Sequence, residues 1–164
     1  DRVHVCAEWR WDAKDERRQL TDPEYSARLR TWLDGLDPGR NDTPSIYPGA
    51  RTPTRVYVDP SASSFIAQLH RDGWYGVRAA DNSVGDGLRT VGSLLASDRL
   101  RVHEDCAGLR KEIPGYVWDP KAAKVGDERP VKANDHSCDA LRYGIMGARR
   151  WWRHWLTVDL AEVS

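Results

Sequence analysis

No run of about eighteen apolar residues occurs in the 164-residue chain, so no stretch has the length and apolarity of a membrane-spanning helix. Its first residues also lack the basic and then apolar make-up of a secretory leader, and the chain reads as a soluble, non-secreted protein with no membrane partner. Net charge is missing as well: 25 Lys and Arg balance 25 Asp and Glu. That excludes a strong overall field drawing in nucleic acid, and any such binding must come from a local basic patch. Cysteine is scarce. Cys6, Cys106 and Cys138 are odd in number and widely scattered, with no C-x-x-C spacing, which argues against a disulfide framework or a zinc site. Reduced, buried thiols in a cytoplasm are expected instead. There is no G-x-x-x-x-G-K-[ST] sequence, hence no phosphate-binding loop and no motor built on one. Phenylalanine occurs once, against eight tryptophans. Trp9, Trp11, Trp32, Trp74 and Trp118 each stand in apolar surroundings, and core packing is predicted for most of them.

What remains is ordinary globular composition, 40% hydrophobic and 30% charged, at a length that fits one compact domain over residues 1–164. The hydrophobic period alternates between two and about 3.6 along most of the chain. "RVHVCAEW" (2–9) places Val3, Val5 and Ala7 on one face of a strand. "TDPEYSARLRTWLDG" (21–35) predicts a helix with Asp22 as N-cap, Pro23 in the first turn and Gly35 past the end. Residues 35–54 and 119–134 read as long loops. Between them, "TRVYVDP" (54–60), "GVRAAD" (76–81) and "RLRVHED" (99–105) read as strands. "SASSFIAQLHRDG" (61–73), "VGDGLRTVGSLLASD" (84–98) and "CAGLRKEIPG" (106–115) read as helices, the last broken by Pro114 and Gly115. A final helix follows Asn134, continuing through "RRWWRHW" into a terminal helix or tail at 149–164. Strands alternating with helices predict an α/β layer architecture with a largely parallel sheet.

Two places carry candidate chemistry. In "KANDHSCDALRYG" (132–144) Asp135 and Asp139 are four apart, one turn above each other on a helix, where like charges repel. A bound cation would compensate them; Asp135 acting as helix cap with Asp139 solvated is the other explanation. Asp59 ends the most buried-looking strand, at the carboxyl edge where α/β sheets collect functional groups, although an Asp-Pro turn accounts for it equally. Clustered carboxylates suit a hard cation such as Mg²⁺ or Mn²⁺. Two such ions can activate water and stabilise the leaving oxygen of a phosphodiester. His136, beside them, is suited to completing a manganese shell or moving protons.

In order, "VYVDPSASSFIAQLHRDG", "AADNSVGDGLRTVGSLL" and "YVWDPKAAKVGDERPVKANDHSCDALRYG" resemble the nuclease domain of phage terminase large subunits across about residues 54–146. "VCAEWRWD" and "TDPEYSARL" resemble the region ahead of it. The resemblance implies a ribonuclease H-like mixed sheet flanked by helices and a two-metal-ion endodeoxyribonuclease that cuts concatemeric double-stranded DNA in the host bacterial cytoplasm. Asp59 matches the family's second active-site carboxylate, Asp139 its late carboxylate and His136 the histidine beside it; Asp135 is an additional candidate ligand. The family's ATPase domain and the strand bearing its first catalytic aspartate would stand ahead of residue 1. The small terminase subunit and the portal are the other partners implied. The alternative expectation is a catalytically incomplete, prophage-derived module that binds DNA or a packaging partner.

Other features have two readings each. Glu8, closing the first strand, is either a partial substitute for the first aspartate or a surface or ion-paired residue. "DNSVGDG" (81–87) either supplies polar groups to the site or caps a helix through Asn82 or Ser83. "RRWWRHW" (149–155) is either a stacking and phosphate-contacting surface or a docked amphipathic helix. Lys121, Lys124 and Lys132 are candidate phosphate contacts in a loop beside a DNA groove. His4, His70, His103 and His154 have no ligand spacing.

Overall fold

The computed structural model describes residues 1–36, 53–116 and 135–154. In chain order the elements are β1 (Val3–Val5), α1 (Asp22–Gly35), β2 (Val56–Val58), α2 (Ser63–Arg71), β3 (Val77–Ala79), α3 (Val84–Ala96), β4 (Leu100–Val102), α4 (Ala107–Glu112), a single 3₁₀ turn (Ile113–Gly115), α5 (His136–Gly147) and α6 (Arg149–Trp152). The expected α/β class is therefore what forms, with six helices and two parallel strand pairs among the described residues. The chain divides into two compact units, residues 9–79 and residues 1–8 with 80–164.

In the unit of residues 9–79, β2 and β3 pair in parallel, with Val56 opposite Val77 and Val58 opposite Ala79. The valines of β2 and Val77 of β3 suit short strands on a half-buried surface. Leu69, Trp74 and Val77 form the core, with Leu29 and Leu33 of α1 and Phe65 and Ile66 of α2 packed against it. The buried Trp74 indole donates to Ser26 Oγ at 2.9 Å, satisfying both polar atoms. Helix α2 ends in a Schellman turn: Gly73 adopts φ +72°, its N–H donates to His70 O and that of Trp74 to Leu69 O. At the start of α1 the N-cap is Thr21 rather than Asp22. Counting from Thr21 puts Glu24 at the third helical position, where its Oε2 accepts from the Thr21 amide and hydroxyl, both at 2.9 Å.

In the other unit, β1 pairs in parallel with β4, with Val3 opposite Leu100 and Val5 opposite Val102. Leu94, Leu100, Ile145 and Trp152 make one core cluster; Cys106, Leu109 and Cys138 make a second, and Val5 and Leu141 touch both. The thiols are free; Cys106 and Cys138 are buried and Cys6 half-buried. Helix α3 turns into β4 by a second Schellman corner, with Asp98 at φ +53° in place of glycine.

Two expectations are corrected. The last helix does not run on unbroken: α5 stops at Gly147 and α6 starts after Ala148. Nor is the tryptophan set uniformly core. Trp74 is buried, but Trp9, Trp11 and Trp32 are only half-covered. Trp9 stacks edge-on to Tyr25 at 5.9 Å, and Arg28 lies 4.5 Å over the Trp11 ring, so amphipathic packing holds them. Trp118, residues 37–52 of the loop predicted at 35–54, all of the loop predicted at 119–134, and residues 155–164 lie outside the described residues.

Candidate functional site

Asp59 stands one residue beyond β2, at its carboxyl end, as its V-Y-V-D-P context predicts. Its Oδ1 accepts from the Ser61 amide at 2.8 Å and the Ser61 hydroxyl at 2.7 Å. Pro60 stops the strand and the carboxylate holds the turn into α2. The same device recurs after β3, where Asp81 Oδ1 accepts from the amide and hydroxyl of Ser83 at 2.9 and 2.6 Å. Those bonds to Ser83 hold the Asp81 carboxyl below its ordinary value.

Asp135, His136 and Asp139 come together in the first turn of α5. His136 is exposed, and Asp135 is at the N-cap, where its carbonyl accepts from the Asp139 amide at 2.8 Å. Its side chain makes no capping bond. The carboxylate that caps α5 is Glu112, from the end of α4: its Oε2 accepts from the amides of Ser137 and Cys138 at 2.8 and 3.2 Å. Glu8 does the same for α4. Its Oε2 accepts from the Gly108 and Leu109 amides at 2.8 and 3.1 Å, while its Oε1 accepts from Ser137 Oγ at 2.5 Å. Glu8 is thus a helix-capping carboxylate that ties β1 to α4 and α5. Both glutamates place negative charge at the positive ends of helices. Burial first, then the carboxylates of Glu112, Asp139, Asp135 and Glu8, push the Cys138 thiol up to about 12.

Asp139 itself is held by two donors. Tyr116 donates its hydroxyl to Oδ1 at 2.7 Å, and Arg142 donates to the same oxygen at 3.0 Å. The Asp139 side chain is one-third exposed, whereas that of Arg142 is 3% exposed. Burial, then the bond and charge of Asp139, raise the Tyr116 hydroxyl well above its ordinary value, so that it stays a donor. Arg142 also reaches Asn82 Oδ1 through both terminal nitrogens at 3.3 Å and lies 4.7 Å from the Tyr143 ring centroid. Residues 81–87 lead into α3 as the helix-start reading expects, and the Asn82 amide oxygen serves Arg142. Ser83 occupies the N-cap position of α3 without a side-chain capping bond.

Asp59 belongs to the unit of residues 9–79, and Asp135, His136 and Asp139 to the other. Among the described residues no group of three or more His, Cys, Asp or Glu side chains is placed to hold a metal ion. Lys121, Lys124 and Lys132 lie outside the described residues. Trp151 is 46% exposed with Arg150 4.7 Å from its ring centroid, while Trp152 is buried and donates its indole N–H to Ile145 O at 2.8 Å. One tryptophan of the pair is therefore docked and the other presented. Sequence reasoning missed Tyr116, Arg142 and Glu112. Arg142 had a signal, being three residues after Asp139 on the same helical face; Glu112 had none, because its partners are on another helix.

The fold has counterparts among known proteins. No family model matches the chain. Over 99 residues, 58% of its length, it is 34% identical to the terminase large subunit of Escherichia phage T5, covering 23% of that protein. The large terminase of a thermophilic bacteriophage superposes with a TM-score of 0.69 at 35% identity over 86% of this chain. The chain is thus similar to phage terminase large subunits over most of its own length. The same thermophilic-phage terminase in complex with ADP gives a TM-score of 0.70 at 34% identity over 88% of this chain, and its complex with ATP-gamma-S gives 0.69 at 36% over 85%. The chain spans about a quarter to a third of the length of these terminases. No described helix is long and apolar enough to cross a membrane.

Proposed function

We propose that this chain is the nuclease part of a DNA-packaging terminase and hydrolyses phosphodiester bonds of double-stranded DNA in the host cytoplasm. One observation carries the reading: the similarity to large terminases, at 34–36% identity with TM-scores near 0.7, extends over 85–88% of this chain. The chain itself carries a strand-end carboxylate, Asp59, and a late helical carboxylate, Asp139, of the kinds such hydrolysis uses. The ATPase domain, the small terminase subunit and the portal are the proposed partners.

The donor set fits a hard divalent cation in its chemistry, being carboxylate oxygen with one exposed imidazole. Asp59 in one unit, and Asp139 with His136 and Asp135 in the other, are the proposed metal ligands. Bound Mg²⁺ or Mn²⁺, two ions in this reading, supplies an activated water and charge neutralisation at the leaving oxygen. The protein's own part is orientation. Ser61 fixes the Asp59 carboxylate through two bonds, Tyr116 and Arg142 fix that of Asp139, and the exposed His136 would move a proton.

The test is cleavage of supercoiled plasmid in Mg²⁺ or Mn²⁺ by the chain and by its Asp59→Asn and Asp139→Asn variants. Nicking by the wild type and its loss in both variants supports the reading; equal nicking by all three would end it. A second reading, a module that binds DNA or a packaging partner without cutting, is favoured by the Asp139–Arg142 ion pair, which already offsets the carboxylate charge. It predicts retarded DNA and no nicks.

A further inference from the structure

Resting on the metal-binding reading of Asp139, we infer that Tyr116 and Arg142 form a clamp that occupies Oδ1 of Asp139 and reserves Oδ2 for the cation. Among the described residues both hydrogen bonds to this carboxylate fall on Oδ1, at 2.7 and 3.0 Å, and none falls on Oδ2. The two donors approach from different elements. Tyr116 follows the 3₁₀ turn after α4, and Arg142 stands one turn further along the helix that carries Asp139. A carboxylate held by one donor still swings about its Cβ–Cγ bond, whereas two donors on one oxygen fix the plane of the group.

Arg142 is built into place more firmly than an ordinary surface ion-pair partner. It is 2% exposed. Its stem lies over Gly87 of α3, where a Cβ would come within 2.6 Å of both Cγ and Cδ. Asn82 Oδ1 accepts from both Nη1 and Nη2 of the same guanidinium, across a span of sixty residues. Its Nε is buried without a hydrogen-bond partner among the described residues. An arginine that gives up one hydrogen bond to reach two fixed acceptors is being used for geometry, because its planar fork sets direction where lysine supplies only a point charge. Holding a ligating carboxylate through its second oxygen is how outer partners commonly tune a metal ligand, and removing such a partner costs about 10–100-fold in metal affinity. Tyr116 and Arg142 are positioning residues in this scheme, acting on the ion through Asp139.

The experiment is a titration of the protein with Mn²⁺ alone, read by the electron paramagnetic resonance signal of free hexaaqua Mn²⁺. Thermal melting is followed in parallel for wild type, Tyr116→Phe, Arg142→Lys, Arg142→Met, Asp139→Asn and the Tyr116→Phe/Asp139→Asn double variant. Tyr116→Phe removes one hydroxyl and keeps the ring, so it remains informative even where Arg142→Met fails to fold. The clamp predicts that Tyr116→Phe weakens Mn²⁺ binding about tenfold, that Arg142→Lys recovers part of what Arg142→Met loses, and that the double variant binds no worse than Asp139→Asn. Wild-type Mn²⁺ binding by Tyr116→Phe and Arg142→Lys, together with weakened binding by Asp139→Asn, overturns the clamp and leaves the metal reading standing. Unchanged binding by Asp139→Asn overturns both. A fall in melting temperature in the clamp variants without a change in Mn²⁺ binding assigns the two residues to the fold alone and also overturns the inference.

Discussion

Arg142 lies across Gly87 so closely that a single methyl group on Gly87 would sit 2.6 Å from its Cγ and Cδ. Helices α3 and α5 meet over that missing side chain. Because the guanidinium of Arg142 is held by both Asp139 and Asn82, its stem has little freedom to yield. Gly87→Ala is therefore expected to destabilise the protein by about 1–3 kcal/mol, the usual cost of overpacking a filled interior. Gly92, five residues further along the same helix, has nothing within 4 Å of its Cβ position. Gly92→Ala should be stabilising by about 0.5–1 kcal/mol through helix propensity. Urea denaturation of the two variants against wild type checks the opposite signs.

The glutamate caps make a second contrast. Glu112 is 5% exposed and accepts from the first free amides of α5. Glu112→Ala leaves those amides without their acceptor, at a cost of about 1–3 kcal/mol. Glu112→Gln keeps an acceptor but loses the charge facing the helix dipole, worth about 0.3–1 kcal/mol. Chemical denaturation should rank wild type above Gln and Gln above Ala, and equal stability of all three would remove Glu112 from the capping role.

Asp98 sets the acid limit of the α3–β4 corner. Arg101 first and Arg2 second hold its carboxyl down from 3.8 to about 2. Since the folded value is depressed, the stabilisation is fully present above pH 3.8 and is lost as pH falls through about 2. Denaturation midpoints of wild type and Asp98→Asn should differ at pH 5 and draw together as pH is lowered to about 2. A gap that stays constant from pH 5 to 2 would assign the difference to the αL backbone of residue 98 instead.

Alternation was the legible part of this chain. V-Y-V followed by Asp-Pro announced β2 and the position of Asp59, and the spacing Val84, Leu88, Val91, Leu95 announced α3, because both patterns are local. Asp135 and Asp139 were visible as a crowded first turn for the same reason. What the pattern did not disclose is who relieves the crowding. Arg142 shares the helix with Asp139, but the reason it stays buried lies at Asn82 and Gly87, on another segment. Glu8 and Glu112 show no sign of capping in the sequence until the helices they cap are brought against them, in the case of Glu8 across about a hundred positions. Capping within one element follows a motif; capping between elements follows only from the tertiary arrangement.

The pairing of Val3 with Leu100 also sets a timetable. On the ribosome β1 is made before its partner strand, which is translated nearly a hundred residues later, after the whole of residues 9–79. Until then β1 and the Glu8 carboxylate have no β4, α4 or Ser137 to engage, while β2 can close on β3 as soon as one helix between them is complete. A long-range parallel strand pair is intrinsically slow to close. Nascent chains should accordingly show protection in residues 56–79 well before residues 3–5 become protected, and a pause in translation beyond residue 80 would leave an unpaired strand edge waiting for its mate.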